Sequence, residues 1–224
     1  MFDESKFFAI SKKFVFEPET LPMNQPEARC HLILPKKIQT PIIVSAPHAV
    51  EHIRDGNKKF AEADTAALVF FLVQELKCAG IVNIDGQYDP NFDEDKPYCD
   101  VMEEIISNFN LISCLDIHES SPKCSYSFAI GTGYGANVND DANIAPALQD
   151  ICERLDVHDA VIDMHPYASA GKNRVATTIN RRCGIPAIQL ETNSGFFFET
   201  DPRFAPELAY KVIRNMAIYL SRLQ

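Results

Sequence analysis

Three short stretches of this 224-residue chain carry the residue types that hold a metal ion and move a proton beside it. In the first, Ser45-Ala-Pro-His48-Ala-Val-Glu51 follows the apolar run 42–44. An imidazole and a carboxylate three positions apart, just past a strand, are types that bind one divalent cation. Two later apolar runs end in Asp116-Ile-His118 and Gln189-Leu-Glu191. In open α/β sheets, ligands collect beyond the carboxyl ends of the strands, so residues remote in sequence converge there. His48, Glu51 and His118 would then give two imidazoles and one carboxylate, leaving a coordination position for water. Glu191 follows a largely apolar run, where partial burial would raise its pKa toward that of a useful general base. Asp116 shares a strand face with His118. It is expected to accept a hydrogen bond from a ligand imidazole rather than bind the metal, although it could also point into the pocket. Zinc suits this donor set, and Mn, Co or Fe could occupy such a site.

The elements that must position these groups alternate along the chain. Apolar runs at 42–46, 81–84, 111–117, 125–130 and 186–190 predict buried strands, with shorter ones at 31–35 and 160–162. The apolar stripe Leu68, Phe71, Leu72 and Leu76 predicts a helix over 62–77, with Gly80 as its stop. Pro97 opens a second helix, through about residue 108. Further helices are predicted over 141–155, 174–183 and 206–223. Alternating strands and helices imply a three-layer α/β/α fold around a central mixed, mostly parallel sheet. No repeat, linker or low-complexity tract interrupts the chain, so residues 1–224 are expected to be one domain. Residues 1–30 are expected to be a peripheral segment with an edge hairpin, residues 51–60 a polar loop, and residues 89–95 an acidic loop.

A net charge of −10 argues against nucleic acid and anionic membrane surfaces as partners. It leaves open a small anionic substrate held by local basic residues. Arg54 stands beside the first motif, and Asn173-Arg174 follows Gly171-Lys172. A guanidinium grips a carboxylate bidentately. His165, in a loop with Tyr167, is a further candidate contact for substrate. The alternative for each is ordinary surface polarity. Seven widely spaced cysteines with no Cys-x-x-Cys pair point to free thiols. The start Met1-Phe-Asp-Glu-Ser-Lys lacks a basic and apolar leader, and no run is long enough to span a bilayer. A cytoplasmic location is therefore expected.

Taken in order, Ser45-Ala-Pro-His48-Ala-Val-Glu51, Leu115-Asp-Ile-His118-Glu-Ser and Gly184-Ile-Pro-Ala-Ile-Gln-Leu-Glu191 resemble the N-formylglutamate amidohydrolase family. More distantly they resemble the zinc carboxypeptidases and the succinylglutamate desuccinylase and aspartoacylase group. Asp64-Thr65 also fits, and the resemblance spans roughly residues 40–220. It implies a zinc-exopeptidase-like (phosphorylase/hydrolase-like) fold, a zinc site of His48, Glu51 and His118, and Glu191 as the catalytic carboxylate. It implies hydrolysis of an N-acyl amino acid or related small amide. A zinc carboxypeptidase, a peptidoglycan-type peptidase and a non-catalytic binding domain on the same fold are the alternatives. The chain departs from the family where an Arg-rich segment usually precedes the Asp-x-His strand: no Arg lies between Arg54 and Arg154. Specificity for formylglutamate does not follow from the motifs.

Overall fold

The computed structural model describes residues 2–16, 29–94 and 96–223. Its elements run α1 (Glu4–Phe16), β1 (Cys30–Ile33), β2 (Ile42–Ala46), β3 (His52–Arg54), β4 (Asn57–Lys59), α2 (Thr65–Leu76), β5 (Ala79–Asn83) and α3 (Pro97–Phe109). There follow β6 (Ser113–Ser120), β7 (Phe128–Gly131), α4 (Ile144–Glu153), β8 (Val161–Ile162), α5 (Val175–Cys183), β9 (Ala187–Asn193) and α6 (Pro206–Leu220). Seven strands form one sheet in the order β1-β5-β2-β6-β9-β7-β8. The four central strands are parallel, while β1 and β7 join antiparallel. One apolar layer packs α1, α2, α4 and α6 on a sheet face through Val44, Leu115, Ile117 and Leu190. The other packs α3 and α5 through Ile43, Cys114 and Ala187. This is the expected three-layer α/β/α fold with a mostly parallel mixed sheet.

Strands buried on both faces are largely apolar, as β2 and β5 are apart from Ser45 and Asn83. The polar residues that interrupt β6 and β9 are therefore costly unless partnered. Those residues build the site. Register sets them in rows: Ser45 opposite Asp116, Asp116 opposite Gln189, and His118 opposite Glu191.

Three local readings change. Gly80 lies inside β5, not at a helix stop. A Cβ there would meet Val73 Cγ2 at 2.5 Å, so glycine lets α2 approach the sheet. The C-cap of α2 is Lys77, in the left-handed region at φ 56°. The polar loop 51–60 contains the β3–β4 hairpin, closed at Asp55-Gly56. The N-terminal segment is helix rather than edge hairpin over 4–16, and Phe7 is fully buried against Phe71 and Phe197. The remainder of that expectation, residues 17–28, lies outside the described residues.

All seven cysteines carry free thiols. Among the described residues no helix is long and apolar enough to cross a membrane.

Phe7→Ala should lower unfolding free energy by about 3–5 kcal/mol, the usual cost of deleting a buried aromatic ring. Urea denaturation checks this, and a loss below about 1 kcal/mol would mean α1 contributes little to the core.

Candidate metal and catalytic site

The end of β2 delivers His48 to the carboxyl edge of the sheet. There the chain turns at once instead of entering a helix, and runs into β3. Residues three apart share a face only in a helix. Glu51 consequently points outward, with its side chain 44% exposed and its carboxylate 2.7 Å from Lys58 Nζ. The structure does not bring it to His48, contrary to the His48, Glu51 and His118 expectation. Glu62 comes instead. Helix α2 begins at Thr65, three residues later than predicted, which leaves Glu62 in the preceding loop. Its backbone N–H donates to His48 O at 2.9 Å, tying the two segments together.

His118 projects from β6, which continues three residues past its expected end. Glu62 Oε1 lies 2.8 Å from His48 Nδ1, and Oε2 lies 3.0 Å from His118 Nδ1. The two Nδ1 atoms are 3.2 Å apart. Ligands about 2.0–2.1 Å from a common tetrahedral centre are themselves about 3.3 Å apart. The spacing and donor types of His48, Glu62 and His118 therefore fit a zinc ion. Burial opposes protonation of both imidazoles, but the Glu62 charge and neighbouring carboxylates outweigh it. His48 is raised above the usual histidine value and His118 well above it. Burial works against the charge on Glu62 as well, yet the two histidines hold its carboxyl well below the usual range.

The far nitrogens face carboxylates. His48 Nε2 is 3.0 Å from Asp89 Oδ1, and His118 Nε2 is 3.1 Å from Asp116 Oδ2. Nε2–H donation to Asp89 and Asp116 would leave each Nδ1 lone pair for a metal. Asp116 also accepts from Ser45 Oγ at 2.7 Å, and Asp89 from Arg54 Nε at 2.5 Å. Asn91 Oδ1 accepts from Val175 N at 2.6 Å, and its Nδ2 sits 2.9 Å from His118 Nε2, which can either donate to Asp116 or accept from Asn91. Lys96 fastens this region by donating from Nζ to Pro90 O and Asn173 O, each at 2.8 Å.

A second grouping, His48, His52 and Asp89, also has metal-ligand spacing. His52 lies next to Glu51 but does not follow it outward. Instead its ring stacks on His48 with centroids 4.4 Å apart, and its buried Nε2 has no hydrogen-bond partner. Asp89, however, is fully buried and already accepts from Arg54 and from Asn91 N–H. The open cavity is lined by Glu62 and His118, not by His52 or Asp89. His48, Glu62 and His118 all line this cavity, whereas His52 lines only a larger neighbouring cleft and Asp89 lines neither.

That cavity is about 220 Å³ and is lined also by Glu191, Gln189, Tyr167, Arg54 and Arg174. Glu191 stands beside His118 across β6–β9 and accepts from Gln189 Nε2 at 2.8 Å. Burial raises its pKa against the lowering pull of His118. Among the described residues Arg174 has no ion pair or hydrogen-bond partner for its guanidinium, whereas Arg54 is neutralised by Asp89. Asn173 turns away and donates to Phe92 O, and His165 is exposed outside the cavity lining. Sequence reasoning missed Glu62, read as helix, and Asp89, read as part of a solvated acidic loop. The one signal for Glu62 was its place just before Asp64-Thr65.

Neither a family model nor a curated protein matches the sequence. Solved structures do match in shape. N-formylglutamate amidohydrolase from Ralstonia eutropha JMP134 superposes with a TM-score of 0.58 at 14% identity, over 87% of this chain and 97% of that one. The chain folds as that hydrolase folds. A bacteriophage poly-gamma-glutamate hydrolase gives 0.54 at 11% identity, over 86% and 87%. A metallo-carboxypeptidase from Burkholderia cenocepacia gives 0.54 at 13%, over 96% of this chain and 67% of that one. The resemblance carried by the three motifs thus has a counterpart in the fold.

Glu62→Gln should weaken zinc binding at least tenfold, while Glu51→Gln should leave it within twofold; competition against a chromophoric chelator checks both. Because His48 and His118 hold protons above the usual histidine value, zinc binding near pH 7 should release protons and weaken as pH falls. Calorimetry in buffers of different ionisation enthalpy measures that release.

Proposed function

We propose that this chain is a zinc-dependent amidohydrolase that cleaves the amide bond of an N-acyl amino acid or a related small amide. The observation that carries the reading is the arrangement of Glu191 beside three metal-competent ligands in one cavity that also holds an unpaired guanidinium, Arg174. The fold shared with known hydrolases supports it.

A zinc ion held by His48, Glu62 and His118 would lower the pKa of coordinated water and polarise the substrate carbonyl. The chain's own groups do the rest. Glu191 takes a proton from the attacking water and hands it to the departing nitrogen. Its raised pKa suits both halves of that transfer. Gln189 holds the Glu191 carboxylate in place. Asp89 and Asp116 fix the ring orientation of the two histidines. Arg174 receives the substrate carboxylate bidentately. The C–N bond breaks, a C–O bond forms from water, and the products are a carboxylate and an ammonium. Asn173 supports the Arg174 loop through its bond to Phe92 O rather than touching substrate.

Glu191→Gln should retain stoichiometric zinc and lose hydrolysis of an N-acyl amino acid panel by at least a hundredfold in kcat, as removal of a general base does. Loss of zinc from this variant, or retained turnover, would contradict the assignment. Arg174→Ala should raise KM for carboxylate-bearing substrates at least tenfold with a smaller effect on kcat.

A further inference from the structure

The small cavity adjoins a second, larger space. This cleft is about 490 Å³ and shares Arg54, Glu62, Glu119, Ser120 and Ser121 with the smaller cavity. The two spaces differ in their private walls. Arg174, Glu191 and Tyr167 line only the small one. Phe60, Pro122 and Phe198 line only the large one. Phe60 is 84% exposed and Phe198 48% exposed, an uncommon solvation of two large aromatic rings beside a site. They come from separate loops, one after the β3–β4 hairpin and one after β9.

We infer that the acyl group of the substrate is a bulky apolar one, an aryl or medium-chain alkyl group, seated in this cleft between Phe60 and Phe198. The inference rests on the amidohydrolase reading for its direction. Glu62 stands on the boundary of the two spaces, with Arg174 and Glu191 on one side and both phenylalanines on the other. A scissile carbonyl at the Glu62 side of Glu191, with its amino-acid carboxylate at Arg174, projects the acyl chain past Glu62 into the cleft. A formyl group ends at the carbonyl carbon and would leave the cleft unused. Burying an aryl or alkyl group against Phe60 and Phe198 removes apolar surface from water on both partners. The single unpaired guanidinium in the small cavity matches the one carboxylate of a simple acyl amino acid.

The test uses the zinc-loaded full chain with N-formyl, N-acetyl, N-benzoyl and N-decanoyl derivatives of each of several amino acids. The expected result is a kcat/KM for benzoyl or decanoyl substrates at least tenfold above that for formyl, and a benzoyl-to-acetyl ratio that falls about tenfold in Phe198→Ala and in Phe60→Ala, chiefly through KM. A preference for formyl, or a ratio unmoved in both variants, overturns the inference. A change of oligomeric state in Phe198→Ala by analytical ultracentrifugation also overturns it, because the patch is then an interface between copies. If no substrate turns over, binding of N-benzoyl amino acids to Glu191→Gln, measured by calorimetry, decides. Binding that weakens about tenfold on adding Phe198→Ala upholds the cleft and removes the amidohydrolase reading; absence of binding removes both.

Discussion

Two imidazoles meeting one carboxylate at the edge of a parallel sheet is the constraint on which the rest depends. His48 and His118 turn their Nδ1 atoms toward Glu62 and their Nε2 atoms toward Asp89 and Asp116. Buried imidazoles without partners would be costly, and buried carboxylates more so. Each is therefore meaningful only as part of the set. The parallel strands β2, β6 and β9 place these side chains, and the β-sheet register puts Glu191 next to His118. Packing on both faces of the sheet holds that register, since a slip of one residue would drive His118 and Glu191 to the opposite layer.

The loops beyond the strands do the remaining work by being tied to one another. The Glu62 loop hangs from His48 O, and Glu119 N–H donates to Glu62 Oε2 at 3.1 Å. Lys96 and Asn91 join the 89–93 turn to the segment that carries Arg174. Arg203 donates to Pro122 O and Cys124 O, which steadies the loop bordering the wider cleft. His118 and Glu191 thus sit on the rigid sheet, while His48, Glu62 and Arg174 sit on loop segments tied to it. The acidic surroundings of the site also have a consequence. Burial together with the charges of Asp64 and Glu62 pushes Glu119 well above the usual carboxylate range, and burial carries Asp64 to about 6. Such a concentration of carboxyl groups is suited to a bound cation.

The layers of the fold were legible because apolar runs and amphipathic stripes report burial directly. His48, His118 and Glu191 were legible for a related reason: each ends such a run, and strand ends share one edge of the sheet. Glu51 was misread because spacing carries information only within a regular element, and the chain after His48 is a turn. Glu62 lay hidden inside what periodicity marks as the first turn of a helix. Asp89 and His52 could not be read because their burial depends on tertiary contacts between the 47–60 and 85–93 segments. Helix α1 was missed since Phe7 finds its partners on Phe71 and Phe197, far along the chain. The substrate stayed unread because the 89–95 segment is acidic where the resembled family carries arginines.

The most direct measurement is a crystal structure of the zinc-loaded protein with anomalous scattering collected at the zinc edge. A single strong peak bonded to His48 Nδ1, His118 Nδ1 and a Glu62 oxygen, with Glu191 across the open position, is the result required. A peak held by Glu51, or one seated between His52 and Asp89 away from the cavity, would contradict it.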